Sequence, residues 1–279
     1  MNKTNKRIWL SGFAIIVFFA AVFGLHRLLQ EPAVHTPLRH VFKTYDVSSD
    51  GNGGKCVNNS DKPFERIEVG KMNSWDAEHY KRIKETLYTT ERIECWAFFP
   101  LFSVLWRATG LDSLGIGILN CLLFAIGMLI MFKIFGKELP PWAFLLVLCV
   151  PYLVIFMMPY TEALFFLCIA VGLYGVIKEK YGFYFIGFLL ASMTKASASI
   201  LIAVFLFAEI ISLAYHRKPL LFLARFGKRI LPVVLGVLCV MIFQELRGAE
   251  NFLQFFISQK IWGKYLSLPE LPFSDWSSE

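Results

Sequence analysis

The fold is decided by residues 114–135, which read LGIGILNCLLFAIGMLIMFKIF. This stretch carries one charged residue, Lys133, and a helix rising about 1.5 Å per residue over it would cross a hydrocarbon core of about 30 Å. The whole 279-residue chain has the same character, because 56% of its residues are hydrophobic and 18% are charged. In soluble domains about 45–50% of the residues are hydrophobic and about 25% are charged, so an ordinary soluble domain is excluded. A disordered chain is excluded as well, because such chains are poor in hydrophobic residues. The composition predicts an all-α, polytopic membrane helical bundle.

Apolar stretches along the chain predict about seven membrane segments. Besides 114–135 they cover residues 8–29, 142–158, 163–177, 183–193, 197–215 and 230–246. A shorter aromatic stretch at 96–106 is expected to be re-entrant or interfacial. We therefore divide the chain into an N-terminal cytoplasmic tail with the first transmembrane helix (1–29), an outer loop with interfacial helices (30–110), a transmembrane bundle (111–246) and an outer-face C-terminal tail (247–279).

The formal net charge of +7 comes from basic residues that stand in short clusters between the apolar stretches. Such clusters set membrane topology, whereas a nucleic-acid-binding surface shows a basic stripe, so no nucleic-acid partner is expected. If segment 8–29 runs outward from the cytoplasm, the basic clusters at 133–137, 178–180 and 217–229 all lie on the cytoplasmic side. The outer loop, the C-terminal tail and the polar breaks between later segments then share the outer face. Broken backbone at membrane depth survives only where it is buried or lines a wet cavity, which points to a site there.

The outer loop contains the segment SWDAEHY at residues 74–80. Asp76 and His79 are three residues apart and would share one face of a helix. A carboxylate there can act as a general base when it lies within about 2.6–3.2 Å of the group whose proton it accepts. Alternatively, Trp75 and Tyr80 form an interfacial aromatic belt and Asp76 caps a surface helix. On spacing alone the alternative is favoured.

Two further ionisable residues interrupt the apolar stretches. Lys195 lies in the apolar stretch 183–207, where a lysine near the bilayer centre costs about 2.5–3.5 kcal/mol. With the helix N-terminal amides of 194–199 it would cradle a phosphate, and the alternative is a lysine that snorkels to the outer interface. Glu162 lies at the predicted start of the helix 163–177. An ionisable residue at a membrane helix end is a functional candidate, although the helix dipole also accounts for a carboxylate in that place.

Five short segments occur in a characteristic order. They read WDA followed by Y at 75–80, AFFPL at 97–101, PYTEALF at 159–165, ASMTK at 191–195 and SQKIWGK at 258–264. Together they resemble the GPI mannosyltransferase 2 family and its bacterial relatives, which belong to the C-type (GT-C) glycosyltransferases. The resemblance extends over residues 75–263.

The resemblance implies a GT-C-like, inverting membrane enzyme of the bacterial inner membrane. Such enzymes move a hexose, usually mannose, from a polyprenyl-phosphate sugar donor to a lipid or glycan acceptor outside the cytoplasm. An acidic residue of the first outer loop acts as the base, and Asp76 is the matching position. Glu78 and His79 are then expected to contact the acceptor or the phosphate, Glu162 the sugar and Lys195 the donor phosphate. No metal or other cofactor is expected, because Asp76-Ala77-Glu78 imitates the acid-x-acid pair of metal-dependent relatives only superficially.

The chain differs from that family in length, because family members continue through further membrane helices. We therefore expect a short variant, one half of a split enzyme or an inactive remnant. A non-catalytic subunit that partners a second membrane protein is the alternative function. A transporter is the third hypothesis, and it predicts internal inverted repeats, which the sequence does not show. Cys56 and Cys95 flank the outer loop and would be able to pair in an oxidising compartment.

Overall fold

The computed structural model describes residues 45–48, 55–58, 72–73, 75–135, 155–216 and 219–262, together with seven helical positions between 13 and 24. The predicted segments 8–29 and 142–158 lie largely outside these residues. The tail after residue 262 and most of the loop before residue 75 lie outside them as well.

The described part of the chain is helical, as predicted, apart from one short strand pair. Its elements are α1 (Asp76–Thr86), α2 (Leu101–Thr109), α3 (Ser113–Phe135), α4 (Glu162–Ile177), α5 (Tyr181–Thr194), α6 (Ile200–His216), α7 (Pro219–Leu246) and α8 (Gln254–Gln259), with 3-10 helices at Ile93–Ala97, Ala196–Ser199 and Lys260–Trp262.

One short strand pair accompanies the helices of this all-α fold. Strands β1 (Tyr45–Ser48) and β2 (Lys55–Asn58) pair antiparallel, with Tyr45 opposite Asn58. The residues between them include Asp-Gly and Asn-Gly at 50–53. These dipeptides favour a β-hairpin because they tolerate the positive φ angles of its turn.

Within the part of the chain that the structure describes, three helices are long and apolar enough to cross a membrane, namely Ser113–Phe135, Ala196–Ala214 and Phe222–Leu246. They suggest a membrane protein. Two further apolar helices, α4 and α5, have 16 and 14 residues and are shorter than the roughly 20 residues of a full span. Helix α2 has nine residues, which is too short for a crossing, and its re-entrant or interfacial placement stays a prediction.

The bundle is ordered by its helix contacts. Helix α3 packs on α4, α4 on α5, α5 on α7, and α7 on α6. The α4–α5 crossing brings the two backbones together, because a Cβ atom added to Gly187 of α5 would collide with the backbone of Gly172 of α4. Small residues at such a crossing let membrane helices approach closely and gain van der Waals contact.

Helix α7 begins at Pro219, earlier than the predicted start at residue 230. Arg225, Lys228 and Arg229 therefore lie in a helix, and the prediction that they belong to a loop is wrong. Proline is favoured in the first position of a helix, and lysine and arginine are good helix formers, so a basic helical turn can precede the apolar part of α7.

Pro232 lies inside α7, where its ring removes one backbone hydrogen bond and crowds the carbonyl four residues earlier. Two tyrosines of α5 donate hydrogen bonds to carbonyls in that region. Tyr184 Oη donates to the carbonyl oxygen of Arg229 at 2.6 Å, and Tyr181 Oη donates to that of Lys228 at 3.4 Å. These two hydrogen bonds thus join α5 to α7 close to the proline.

We predict that Gly187→Ala destabilises the bundle and that Gly182→Ala, on the same helix, does not. A Cβ at residue 182 meets no atom within 4 Å, whereas a Cβ at residue 187 forces the two backbones apart at a cost of about 1–3 kcal/mol. Thermal unfolding of the detergent-purified protein measures the difference. Equal melting temperatures for the two variants would contradict the close α4–α5 crossing.

Candidate functional site

A cavity of about 860 Å³ opens where α1 begins and where α5 ends. Its other walls are the segment 97–99 and the segment 251–260. The charged and polar lining residues are Asp76, Thr194, Lys195, Ser197, Ser199, Asn251, Gln259 and Lys260, and apolar side chains such as Phe98, Phe99, Ile200, Phe255 and Phe256 complete the surface. The cavity therefore unites four of the five short segments that carry the family resemblance.

Asp76 lines this cavity with an exposed side chain. It is the first residue of α1, and the residue in the capping position is Trp75, which makes no side-chain capping bond. The alternative in which Asp76 caps a surface helix is therefore wrong. Within the described ranges its carboxylate has neither a hydrogen bond nor an ion pair, so its oxygens are available to a ligand.

Lys195 lies in the break between α5 and the 3-10 helix Ala196–Ser199, with an extended backbone (φ −150°, ψ 134°). Its Nζ is 2.6 Å from Oε1 of Glu162. Glu162 is the first residue of α4, as predicted, and its carboxylate is stabilised there by the helix dipole. The pair supplies the charge compensation that a lysine within an apolar stretch requires.

The Tyr80 hydroxyl connects Asp76 to the Glu162 end of the site. Tyr80 is buried, and burial raises its pKa above the ordinary value of 10.0. A hydrogen bond with Thr161 acts in the opposite direction, and the negative charges of Glu162 and Asp76 raise the pKa further. Because both carboxylates act on one hydroxyl, the start of α1 and the start of α4 face each other across it.

Glu78 and His79 do not line the cavity. Glu78 forms an ion pair with Arg82 one turn along α1. The His79 ring stacks on Phe98 with the ring centroids 4.6 Å apart, and its Nδ1 is 3.9 Å from the sulfur of Cys95. His79 therefore lies behind Phe98, which is itself a wall of the cavity.

Burial lowers the pKa of His79 below 6.5, and Arg82 lowers it further, whereas the carboxylates of Asp76, Glu94 and Glu78 act in the opposite direction. The neutral imidazole is thus the form that the fold favours at neutral pH.

Three amide side chains hold irregular backbone in the site and beside it. Gln244 Nε2 donates to the carbonyl oxygen of Trp96 at 2.9 Å, and Gln259 Nε2 donates to that of Ala97 at 3.0 Å. Asn120 Nδ2 donates to two carbonyls just before Glu162, those of residues 158 and 160, at 2.6 and 3.0 Å. An amide within an apolar helix is the signal that would have identified Asn120 and Gln244, because a buried polar group needs a partner.

Cys95 is a buried free thiol. It makes no disulfide with Cys56 in this structure, and burial raises its pKa to about 11. A thiol with such a pKa stays protonated at neutral pH and is a poor nucleophile.

Among the residues that the structure describes, no group of three or more His, Cys, Asp and Glu side chains is placed to hold a metal ion. Comparison with known proteins finds no family model, no curated protein and no solved structure that matches the chain.

We predict that Glu162 and Lys195 stabilise the fold together. A double-mutant cycle with Glu162→Gln and Lys195→Gln should give a coupling of about 1 kcal/mol, because the two side chains are partly shielded from solvent. The exposed pair Lys81 and Glu85 on α1, 3.9 Å apart, is the matched control and should couple by about 0.3–0.5 kcal/mol. Denaturant unfolding in detergent micelles measures both, and equal couplings would contradict the assignment.

We predict that His79→Gln flattens the dependence of stability on pH. Folding lowers the pKa of His79. The contribution of the neutral imidazole to the stability of the folded protein is therefore complete above about pH 6.5, and it is lost as the pH falls through the lowered pKa of the folded state. The melting temperature of the wild type should therefore fall more between about pH 7 and pH 5 than that of the variant. Parallel curves would show that His79 is not shielded from solvent.

Proposed function

We propose that this chain is a membrane glycosyltransferase that moves a hexose, mannose according to the family resemblance, from a polyprenyl-phosphate sugar to a lipid or glycan acceptor. The observation that carries the proposal is the cavity in which Asp76, with no described partner, meets Lys195 from a segment more than one hundred residues later. A free carboxylate and a cation in one cavity are what an inverting transfer from a phosphate leaving group needs.

In the proposed reaction Asp76 accepts the proton of the acceptor hydroxyl. The hydroxyl oxygen then attacks the anomeric carbon from the face opposite the leaving group, and the bond from that carbon to the phosphate oxygen breaks. The lipid phosphate leaves with the bonding electron pair as an anion, which Lys195 stabilises. Glu162 is not among the residues that line the cavity, so it takes part in the proposed site through its ion pair, which holds Lys195 in place.

The proposed topology follows from the two ends of the α4–α5 hairpin. One end carries the cavity, because α4 starts at Glu162 and α5 ends at Thr194. The other end carries Lys178 and Lys180 and contacts the basic turn of α7 through Tyr181 and Tyr184. Under the positive-inside rule the basic end is cytoplasmic. The cavity would then face the extracytoplasmic side of a bacterial inner membrane, with the N-terminus of the chain in the cytoplasm.

The alternative function is a non-catalytic subunit that partners another membrane protein. Helix α6 favours it, because large side chains such as Val204 and Phe207 are 52% and 66% exposed and would pack against further helices as readily as against lipid. Such a subunit would have no use for a carboxylate without partners, which is the reason for ranking it second.

We predict that membranes carrying the wild type transfer label from polyprenyl-phosphate mannose and that Asp76→Asn abolishes the transfer. Removing a general base costs about 10²–10⁴-fold in rate. Glu85→Gln, on the same helix and exposed, is the control that should retain wild-type transfer.

Two results would contradict the proposal. Equal transfer by the wild type and Asp76→Asn would remove Asp76 as the base. Transfer by neither protein, with both inserted in the membrane at equal levels, would favour the accessory subunit.

A further inference from the structure

The cavity holds a second cation that no described carboxylate neutralises. Lys260 follows α8, lines the cavity and is exposed. Over residues 75–135, 155–216 and 219–262 it forms no ion pair, whereas Lys195 lies 2.6 Å from Glu162. An anion that enters the cavity can therefore pair with Lys260 more readily than with Lys195.

The charge balance of the site depends on this lysine. Asp76 and Glu162 supply two negative charges, and Lys195 and Lys260 supply two positive ones, so the four groups cancel. Without Lys260 an entering phosphate would meet a net negative set in a partly desolvated cavity, where repulsion is stronger than in water.

The position of Lys260 is fixed by the packing of α8. The preceding residue, Gln259, is held by its hydrogen bond to the Ala97 carbonyl. The buried Phe255 contacts Phe99, with their ring centroids 4.8 Å apart. Helix α8 is therefore a docked element that presents Lys260 at the edge of the cavity.

Apolar side chains lie beside this cation on the same segment. Leu253, Phe256 and Ile257 line the cavity and are 49%, 42% and 41% exposed. Exposed apolar surface next to an uncompensated cation matches a ligand that is anionic at one end and hydrocarbon at the other.

We propose that Lys260 and the apolar side chains of 253–257 form the binding site for a lipid phosphate. The phosphate contacts Lys260, and the hydrocarbon chain lies along Leu253, Phe256 and Ile257. The identification of this lipid as the sugar donor rests on the proposed function. The inference extends that function, because it gives the lipid phosphate a binding residue other than Lys195 and gives the lipid chain a side of the cavity.

The test is a binding titration of the detergent-purified full chain, with labelled farnesyl phosphate as the probe. The wild type should bind farnesyl phosphate at least about tenfold more tightly than farnesol, because a hydrogen bond to a charged group contributes on that scale. Lys260→Gln should lose this preference and bind about 10- to 100-fold more weakly, and Lys260→Arg should restore most of the affinity. Lys178→Gln is the control, because Lys178 lies at the opposite end of α4.

Unchanged binding by Lys260→Gln would overturn the inference. Displacement of the probe by inorganic phosphate at an equal concentration would overturn its lipid part. The titration needs no transfer step and so separates this inference from the proposed function. If binding depends on Lys260 but no transfer occurs, the lipid-phosphate site is supported and the proposed transferase function is not. If transfer occurs and the KM for the donor is unchanged in Lys260→Gln, the transferase function is supported and the lipid-phosphate site is not.

Discussion

The structure depends on satisfying the carbonyl groups of irregular backbone that lies beside apolar helices. Residues 96–98 expose three successive carbonyls, and these accept hydrogen bonds from Gln244, Gln259 and Tyr88. Asn120, fully buried in α3, satisfies two carbonyls before α4 in the same way. Where water is scarce, an unsatisfied carbonyl costs several kcal/mol, so each amide holds a segment that would otherwise have to become helical or move to the surface. Gln244 and Gln259 in this way fix the 96–97 backbone, which forms one wall of the cavity.

The charges of the site can be understood from the same constraint. Lys195 ends α5 with its backbone extended, and Glu162 starts α4, so the two helix ends meet through an ion pair at 2.6 Å. That pair fixes the relative position of the two helices at the cavity end, while close glycine contacts such as Gly187 against Gly172 fix them further along the crossing. Asp76 and the Tyr80 hydroxyl then face a rigid edge of the bundle. Under the proposed function, a rigid edge would hold Asp76 at a constant distance from a reacting group.

Much of the fold follows from the apolar pattern alone, whereas the partners of the polar residues do not. The pattern predicts α3, α4, α5 and the α6 segment within a few residues, because an apolar run of helical length between polar breaks has few other structures. The apolar pattern does not predict the early start of α7, because the basic turn after Pro219 is helical although it is polar. The pattern marks Lys195 and Glu162 as unusual without indicating their ion pair, because the α4–α5 hairpin that joins them depends on which helices pack together. Asn120 and Gln244 are missed for a related reason: their carbonyl partners lie 38 and 148 residues away in the chain.

The arrangement of charges also bears on whether the cavity serves a ligand or only the fold. Glu162 and Lys195 stabilise each other, and Arg229 in the same way pairs with the buried Glu209 at 2.9 Å, so these ions have a structural explanation. Asp76 lies in the first turn of α1, where the helix dipole favours a carboxylate, but within the described residues no ion pair accounts for its charge. A neutral residue at that position would cost the fold little. The ion pairs that explain the other charges therefore do not extend to Asp76, and under the proposed function its carboxylate would serve a ligand in the cavity.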